Sequence, residues 1–158
     1  QSVSLPDSKP LREIRARYKN YPNAQKPPRV MLGDTISGET FWVGAKMNQW
    51  AERWVRYWTD NQGTMATTAE EDVAFCQALA LQAKAGRVDP NRALILRTTS
   101  NFDMPPDSES AAKFLADEAS ETGYSAFVPS LNAAYTVGSI VVRELATHWD
   151  RYDNTLPN

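Results

Sequence analysis

Cysteine and histidine are almost absent: Cys76 and His148 are the single example of each. One thiol excludes an internal disulfide and a thiolate metal cluster, and one imidazole leaves little for a Ser-His-Asp arrangement or a histidine-rich zinc site. No run of Lys and Arg stands out, and a net charge of −2 offers no basic face, which sets nucleic acid aside as a partner. Long hydrophobic runs are also missing. The most apolar stretch, around residues 139–142, falls far short of the roughly 20 residues that cross a bilayer as a helix, so a membrane-spanning helix is not expected. Residues 1–4 contain neither an initiator Met nor the apolar core of a signal peptide, and the expectation is a chain cut from a longer one. There is no internal repeat and no low-complexity tract.

What is present is the composition of one globular domain: 158 residues, 42% hydrophobic and 23% charged. Residues 93–106 organise it. Ala93, Leu94, Ile95 and Leu96 form a short apolar run after a Pro-Asn-Arg turn and read as a strand buried on both faces. Polar residues then take over abruptly: Thr98, Thr99, Ser100, Asn101 and Asp103 supply hydroxyls, an amide and a carboxylate before Pro105 and Pro106 stop the segment. In an open α/β sheet such a switch marks the carboxyl end of a strand, where ligands bind. The alternative is a strand end whose polar groups only shape a turn.

The rest of the chain repeats that pattern. A short amphipathic helix carries Leu11, Ile14 and Tyr18 with Asp7 as its cap, and residues 30–32 read as a brief buried strand that breaks at Gly33 into a polar turn from Asp34 to Glu39. Met47, Trp50, Ala51, Trp54, Tyr57 and Trp58 fall at helical spacing. Such an aromatic stripe belongs to a core or a subunit interface more often than to a ligand site. Residues 64–68 read as a second strand, closing on Glu70, Glu71 and Asp72 at the start of a helix whose inner face would hold Val73, Cys76, Leu79, Ala80 and Ala83. Acids there also suit the positive end of a helix dipole, and Cys76 reads as a small buried hydrophobe. Ala111, Ala112, Leu115 and Ala119 mark a further helix, and a last long one starts at Pro129. Strands alternating with helices predict an α/β fold with a mainly parallel sheet. Three strands are few, and their open edges predict that the missing strands come from another polypeptide.

Several segments resemble one family. Residues 25–28 (Gln-Lys-Pro-Pro), 33–35 (Gly-Asp-Thr), 85–89 (Ala-Gly-Arg-Val-Asp), 96–103 (Leu-Arg-Thr-Thr-Ser-Asn-Phe-Asp) and 135–139 (Tyr-Thr-Val-Gly-Ser) are similar to the carboxyl-terminal half of the purine nucleoside permeases, which look like a divergent branch of the nucleoside phosphorylase superfamily. The resemblance covers essentially the whole chain. It implies the carboxyl-terminal half of a three-layer αβα fold, residues 1–158 forming half of one domain, with the amino-terminal half absent or on a second chain.

The resemblance also implies roles. Phe41 lies where an aromatic stacks on the purine, and a flat ring suits a nucleobase face. Glu71 falls where an acid receives the ribose hydroxyls, although Glu70 stands where the superfamily has Met. Asn101 matches the residue that contacts purine N7 and helps the base leave. Asn cannot supply a proton, and Asp103 is the neighbour that could. Asp34, Thr68 and Ser100 complete the substrate-binding set, with Asn101 and Asp103 as the catalytic pair. The implied function is purine nucleoside binding with cleavage or transfer at the N-glycosidic bond, phosphate being a possible co-substrate and no metal or other cofactor being called for. The alternative is a nucleoside-binding protein that assists uptake without breaking the ligand. A homo-oligomer of the assembled unit and a secreted or periplasmic setting are further implications.

Overall fold

The structure, a computed structural model, describes residues 3–118, 120 and 126–154. Its centre is one β-α-β unit. Strand β1 (Asp34–Ser37) and strand β2 (Met65–Ala69) pair in parallel, joined by helix α2 (Ala45–Trp58). Thr35 lies opposite Thr67, Ile36 opposite Thr68 and Ser37 opposite Ala69. β-Branched residues suit this pleated surface, and the Thr35 and Thr67 hydroxyls hydrogen-bond across it at 2.6 Å. At the amino end the pair is pinned twice, by Asp34 N–H to the Thr64 carbonyl at 2.8 Å and by Thr64 N–H to Asp34 Oδ2 at 2.7 Å. Gly33 makes the close approach possible there: a Cβ on it would lie 2.5 Å from the Ala66 Cβ.

Helix α2 lies against this sheet. Ala51 and Val55 are its buried residues, one helical turn apart on one face. Gly44 begins the helix at φ +92°, a conformation that excludes most side chains, and a Cβ there would also press on Ala111 at 3.0 Å. The tryptophans form a ladder along the helix rather than a core. Trp42 stacks on Trp50 at 5.6 Å and Trp54 on Trp58 at 5.8 Å, while Tyr57 and Trp58 are exposed. Of the tryptophans only Trp42 is buried, and its indole N–H donates to the Ala69 carbonyl at the carboxyl end of β2.

The remaining elements are helix α1 (Lys9–Arg15), helix α3 (Asp72–Lys84), a turn of 3-10 helix at Pro90–Arg92, helix α4 (Ala111–Glu118) and helix α5 (Phe127–Thr147), followed by a 3-10 turn at Trp149–Arg151. Asp7 does not cap α1. Ser8 holds that position without a side-chain bond, and Asp7 instead pairs with Arg15 at 2.7 Å. Pro129 sits in the first turn of α5, where its missing N–H costs nothing. In α4 the buried residue is Phe114, outside the expected alanine-rich face, and Ala119 lies outside the described residues.

Three expectations need correcting. Residues 30–32 are not a strand and are exposed, so β1 begins where a polar turn was expected. Residues 93–96 follow the 3-10 turn, with Ala93 extended, but belong to no sheet among the described residues, and Leu94, Ile95 and Leu96 are all exposed. Helix α3 has no buried residue, so Cys76 is exposed rather than part of a core. The common cause is that apolar patterning reports which faces are suited to cover, and the described residues leave these faces largely open. The protein is α/β, with a two-stranded parallel sheet among the described residues.

Candidate functional site

The residues singled out in the sequence divide between the two ends of the β-α-β unit. Asp34 opens β1, whereas Thr68 and Glu71 lie at or just past the carboxyl end of β2. A four-residue strand separates these ends by on the order of 10 Å, so Asp34 does not share a crevice with Glu71. Its carboxylate holds Thr64 N–H instead.

At the carboxyl end, hydrogen bonds and ion pairs tie the segments that follow β1 and β2 to each other and to Arg97. The chain leaves β1 through a tight turn in which Thr40 N–H bonds the Gly38 carbonyl at 2.7 Å, which leaves Phe41 exposed beside buried Trp42. The chain leaves β2 into Glu70, Glu71 and Asp72. Arg97 bridges the last two, donating to Glu71 Oε2 at 2.5 Å and to Asp72 Oδ1 at 3.3 Å. The Glu71 backbone N–H, together with this guanidinium, holds the Glu71 carboxyl below the usual carboxylate range, so it is ionised at neutral pH. Ser37 Oγ accepts from Val73 N–H and ties β1 to the first turn of α3.

The segment beyond Arg97 is anchored again at its far end. Gly44 N–H donates to the Asp103 carbonyl at 2.7 Å, and Asn48 Nδ2 donates to Asp103 Oδ2 at 2.8 Å. Gly44 comes three residues after Phe41. Residues 97–103 are therefore latched at one end to Glu71 and Asp72, where the chain leaves β2, and at the other to Gly44 and Asn48, where it enters α2 from β1. Between the latches, Ser100 Oγ donates to Asn101 Oδ1 at 3.0 Å and Asn101 Nδ2 donates to the Phe102 carbonyl at 3.1 Å. Phe102 packs on buried Tyr18 with ring centroids 4.2 Å apart, and the Tyr18 hydroxyl donates to the Met104 carbonyl at 2.9 Å.

Asp103 borders a hollow of about 280 Å³ that runs along α2 past Asn48, Glu52 and Arg56 to Gly63, Thr64, Met65 and Ala66. Its size is close to the lower end of small-molecule sites, roughly 300 Å³. Burial pushes the Asp103 carboxyl above its ordinary value, against the opposing pull of Asn48 and of its own backbone N–H. Three contributors were not singled out from the sequence: Arg97, Asn48 and Tyr18. Arg97 sits within the Leu-Arg-Thr-Thr-Ser-Asn-Phe-Asp motif and could have been read as the partner of the acids before α3. Asn48 and Tyr18 carry no such mark, because their partners lie 55 and 86 residues away.

Among the described residues no group of three or more His, Cys, Asp or Glu could hold a metal ion, and no helix is long and apolar enough to cross a membrane.

The family model described as purine nucleoside permease matches residues 1–157. A purine nucleoside permease of Candida albicans is 30% identical over 128 residues, which cover 81% of this chain and 30% of that protein. A probable purine nucleoside permease of Schizosaccharomyces pombe is 29% identical over 149 residues, covering 94% of this chain and 41% of that protein. The chain thus spans between 30% and 41% of the length of these relatives. No solved structure matches it. With the match running from end to end and through the doubly latched segment 97–103, this chain belongs to the purine nucleoside permease family.

Proposed function

We propose that this chain contributes the base-recognition and sugar-recognition groups of a purine nucleoside site, in a protein that binds nucleosides for uptake. The observation that supports this reading is the double latch on residues 97–103, which ties the segment carrying Asn101 and Asp103 through Arg97 to Glu71 and Asp72 and through Asp103 to Gly44 and Asn48. Phe41, exposed four residues past the end of β1, offers its ring to the purine. Glu71, ionised and fixed by Arg97, accepts the ribose hydroxyls, with Thr68 beneath it at the end of β2. Asn101 and Ser100 address the edge of the base. The relatives' names, which speak of permeases, favour carriage of the ligand.

A second reading, cleavage of the N-glycosidic bond, draws on Asp103. A buried carboxyl whose affinity for its proton is raised is the type of group that can protonate a departing purine. Phosphate would be the co-substrate of phosphorolysis.

The exposed apolar residues of α3 and of residues 94–96 support a further part of the proposal. Additional polypeptide, equivalent to the remaining length of the relatives, covers them and completes a three-layer αβα domain. Assembly of that unit into a homo-oligomer belongs to the same reading. The test is incubation of the full-length protein with inosine or adenosine, with and without phosphate. Saturable binding with no free base supports carriage. Ribose 1-phosphate identifies phosphorolysis, ribose identifies hydrolysis, and absence of binding removes the proposal.

A further inference from the structure

We infer that Asn48 is a positioning residue for Asp103, fixing the direction in which that carboxylate faces a bound nucleoside; the inference rests on the assignment of Asp103 to the nucleoside site. Asn48 lies one turn into α2, and its own N–H bonds the Gly44 carbonyl at 3.0 Å. The first turn of the helix therefore grips Asp103 twice, by the Gly44 N–H on the backbone carbonyl and by the Asn48 amide on Oδ2. Gly44 takes a φ of +92° at the start of the helix, a conformation open to glycine, and its N–H is thereby free to reach the Asp103 carbonyl. One directed bond is enough to choose among the rotations open to a short side chain.

The same bond acts on charge. An amide N–H stabilises the ionised carboxylate and opposes the burial that disfavours it. Among the described residues, the charged and titratable groups near Asp103 include Glu52 and Arg56 on α2, which line the same hollow, and Tyr18 after α1; Asp34 bonds Thr64, another lining residue. Glu52 and Arg56 pair with each other at 2.5 Å and largely cancel. Asp34 is occupied by Thr64 N–H. Tyr18 is neutral at physiological pH, because burial drives its pKa far upward. Asn48 is left as the neutral side-chain donor that, with the Asp103 backbone N–H, opposes the larger effect of burial on Asp103.

The experiment compares the full-length protein with its Asn48→Leu and Asp103→Asn variants, following the Asp103 carboxyl by carbon-13 NMR and inosine binding across pH 4 to 8. Asn48→Leu keeps the shape and removes the donor. Its Asp103 midpoint should rise by roughly one pH unit, the tenfold change expected when the charged form loses one hydrogen bond, and the midpoint of inosine binding should rise with it. An unmoved carboxyl midpoint in a variant that still shows the native circular dichroism spectrum overturns the inference. If the carboxyl midpoint moves while Asp103→Asn binds inosine as the parent does at every pH, the grip of Asn48 on Asp103 is upheld and the ligand role of Asp103 falls. If Asn48→Leu does not fold, Asn48→Asp serves in its place: a like charge at the same position should raise the carboxyl midpoint still further, and no rise overturns the inference.

Discussion

The Tyr18 hydroxyl donates to the Met104 carbonyl at 2.9 Å, joining residues 86 positions apart, and Tyr18 is among the most completely buried side chains described. Its ring lies on Phe102 and edge-on to Tyr21. This one residue fastens the segment after α1 to the loop that carries Asn101 and Asp103. Tyr18→Phe removes the bond and keeps the packing, and should cost about 1 kcal/mol in urea unfolding; Tyr18→Ala should cost about 3–5 kcal/mol. The pH dependence has a definite sign. Burial raises the tyrosine pKa in the folded state, so its contribution is complete below the unfolded value of about 10 and is lost as pH rises above it. Tyr18→Phe should abolish that alkaline loss.

Gly33 is a steric requirement of the strand pair. Ala at this position would bring two methyl carbons to 2.5 Å, and the second belongs to Ala66, next to the first residue of β2, which has no rotation by which to yield. Gly33→Ala should destabilise the protein by about 1–3 kcal/mol. A Gly33→Ala, Ala66→Gly double variant should recover most of that loss. Thermal unfolding of the three variants decides the point, and additive losses would count against it.

Arg97 makes Glu71 a test of recognition rather than of stability. Glu71 is largely exposed, so its ion pair adds little to folding, yet its direction is set by the 2.5 Å contact. If Glu71 receives the ribose hydroxyls as proposed, Glu71→Gln should lower affinity for inosine relative to hypoxanthine. Equal weakening for both ligands in a calorimetric titration would assign Glu71 to the start of α3 alone.

Asn101 should behave in the opposite way. Asn101→Ala removes an amide from a turn that Ser100 and Phe102 hold in shape, and on the proposed assignment it also removes the group that meets the base. Binding of inosine and of hypoxanthine should weaken alike, each by on the order of 2 kcal/mol. Unchanged affinity in equilibrium dialysis would show that the amide only shapes the turn.

The legibility of these features in the sequence tracked the range of the interactions. Helix α2 was readable because its apolar spacing is local, and β2 was placed within one residue. The first strand was displaced because residues 30–32 are more apolar than Asp34–Ser37, although the latter carry the pairing; cross-strand partners such as Thr35 with Thr67 cannot be seen in either segment alone. The motif at residues 96–103 stands out in the sequence by its run of polar side chains. Its latches do not, since Gly44 and Asn48 have nothing in their own neighbourhoods that points to Asp103. Asp34 was grouped with Glu71 because both come after apolar segments, and only the register places them at opposite ends of the sheet.

Residues 94–96 give the most direct test of what lies against this unit. As a strand, this segment would turn Leu94 and Leu96 one way and Ile95 the other. Both sides are exposed, yet a Cβ on Gly138 of α5 would reach within 3.6 Å of Leu96 Cδ2, so one side already has part of a cover. A segment that is apolar on both faces is suited to the middle of a parallel sheet and poorly suited to water. Ile95→Lys discriminates. If further polypeptide packs on that face, the substitution removes about 2 kcal/mol of side-chain burial and forces a charge into an apolar site, so the full-length protein should lose well over 2 kcal/mol in chemical denaturation. The amides of residues 94–97 should then exchange slowly in the parent and rapidly in the variant. If the face is open to solvent, Ile95→Lys should change stability by less than about 0.5 kcal/mol, as exposed substitutions do, and the amides should exchange rapidly in both proteins.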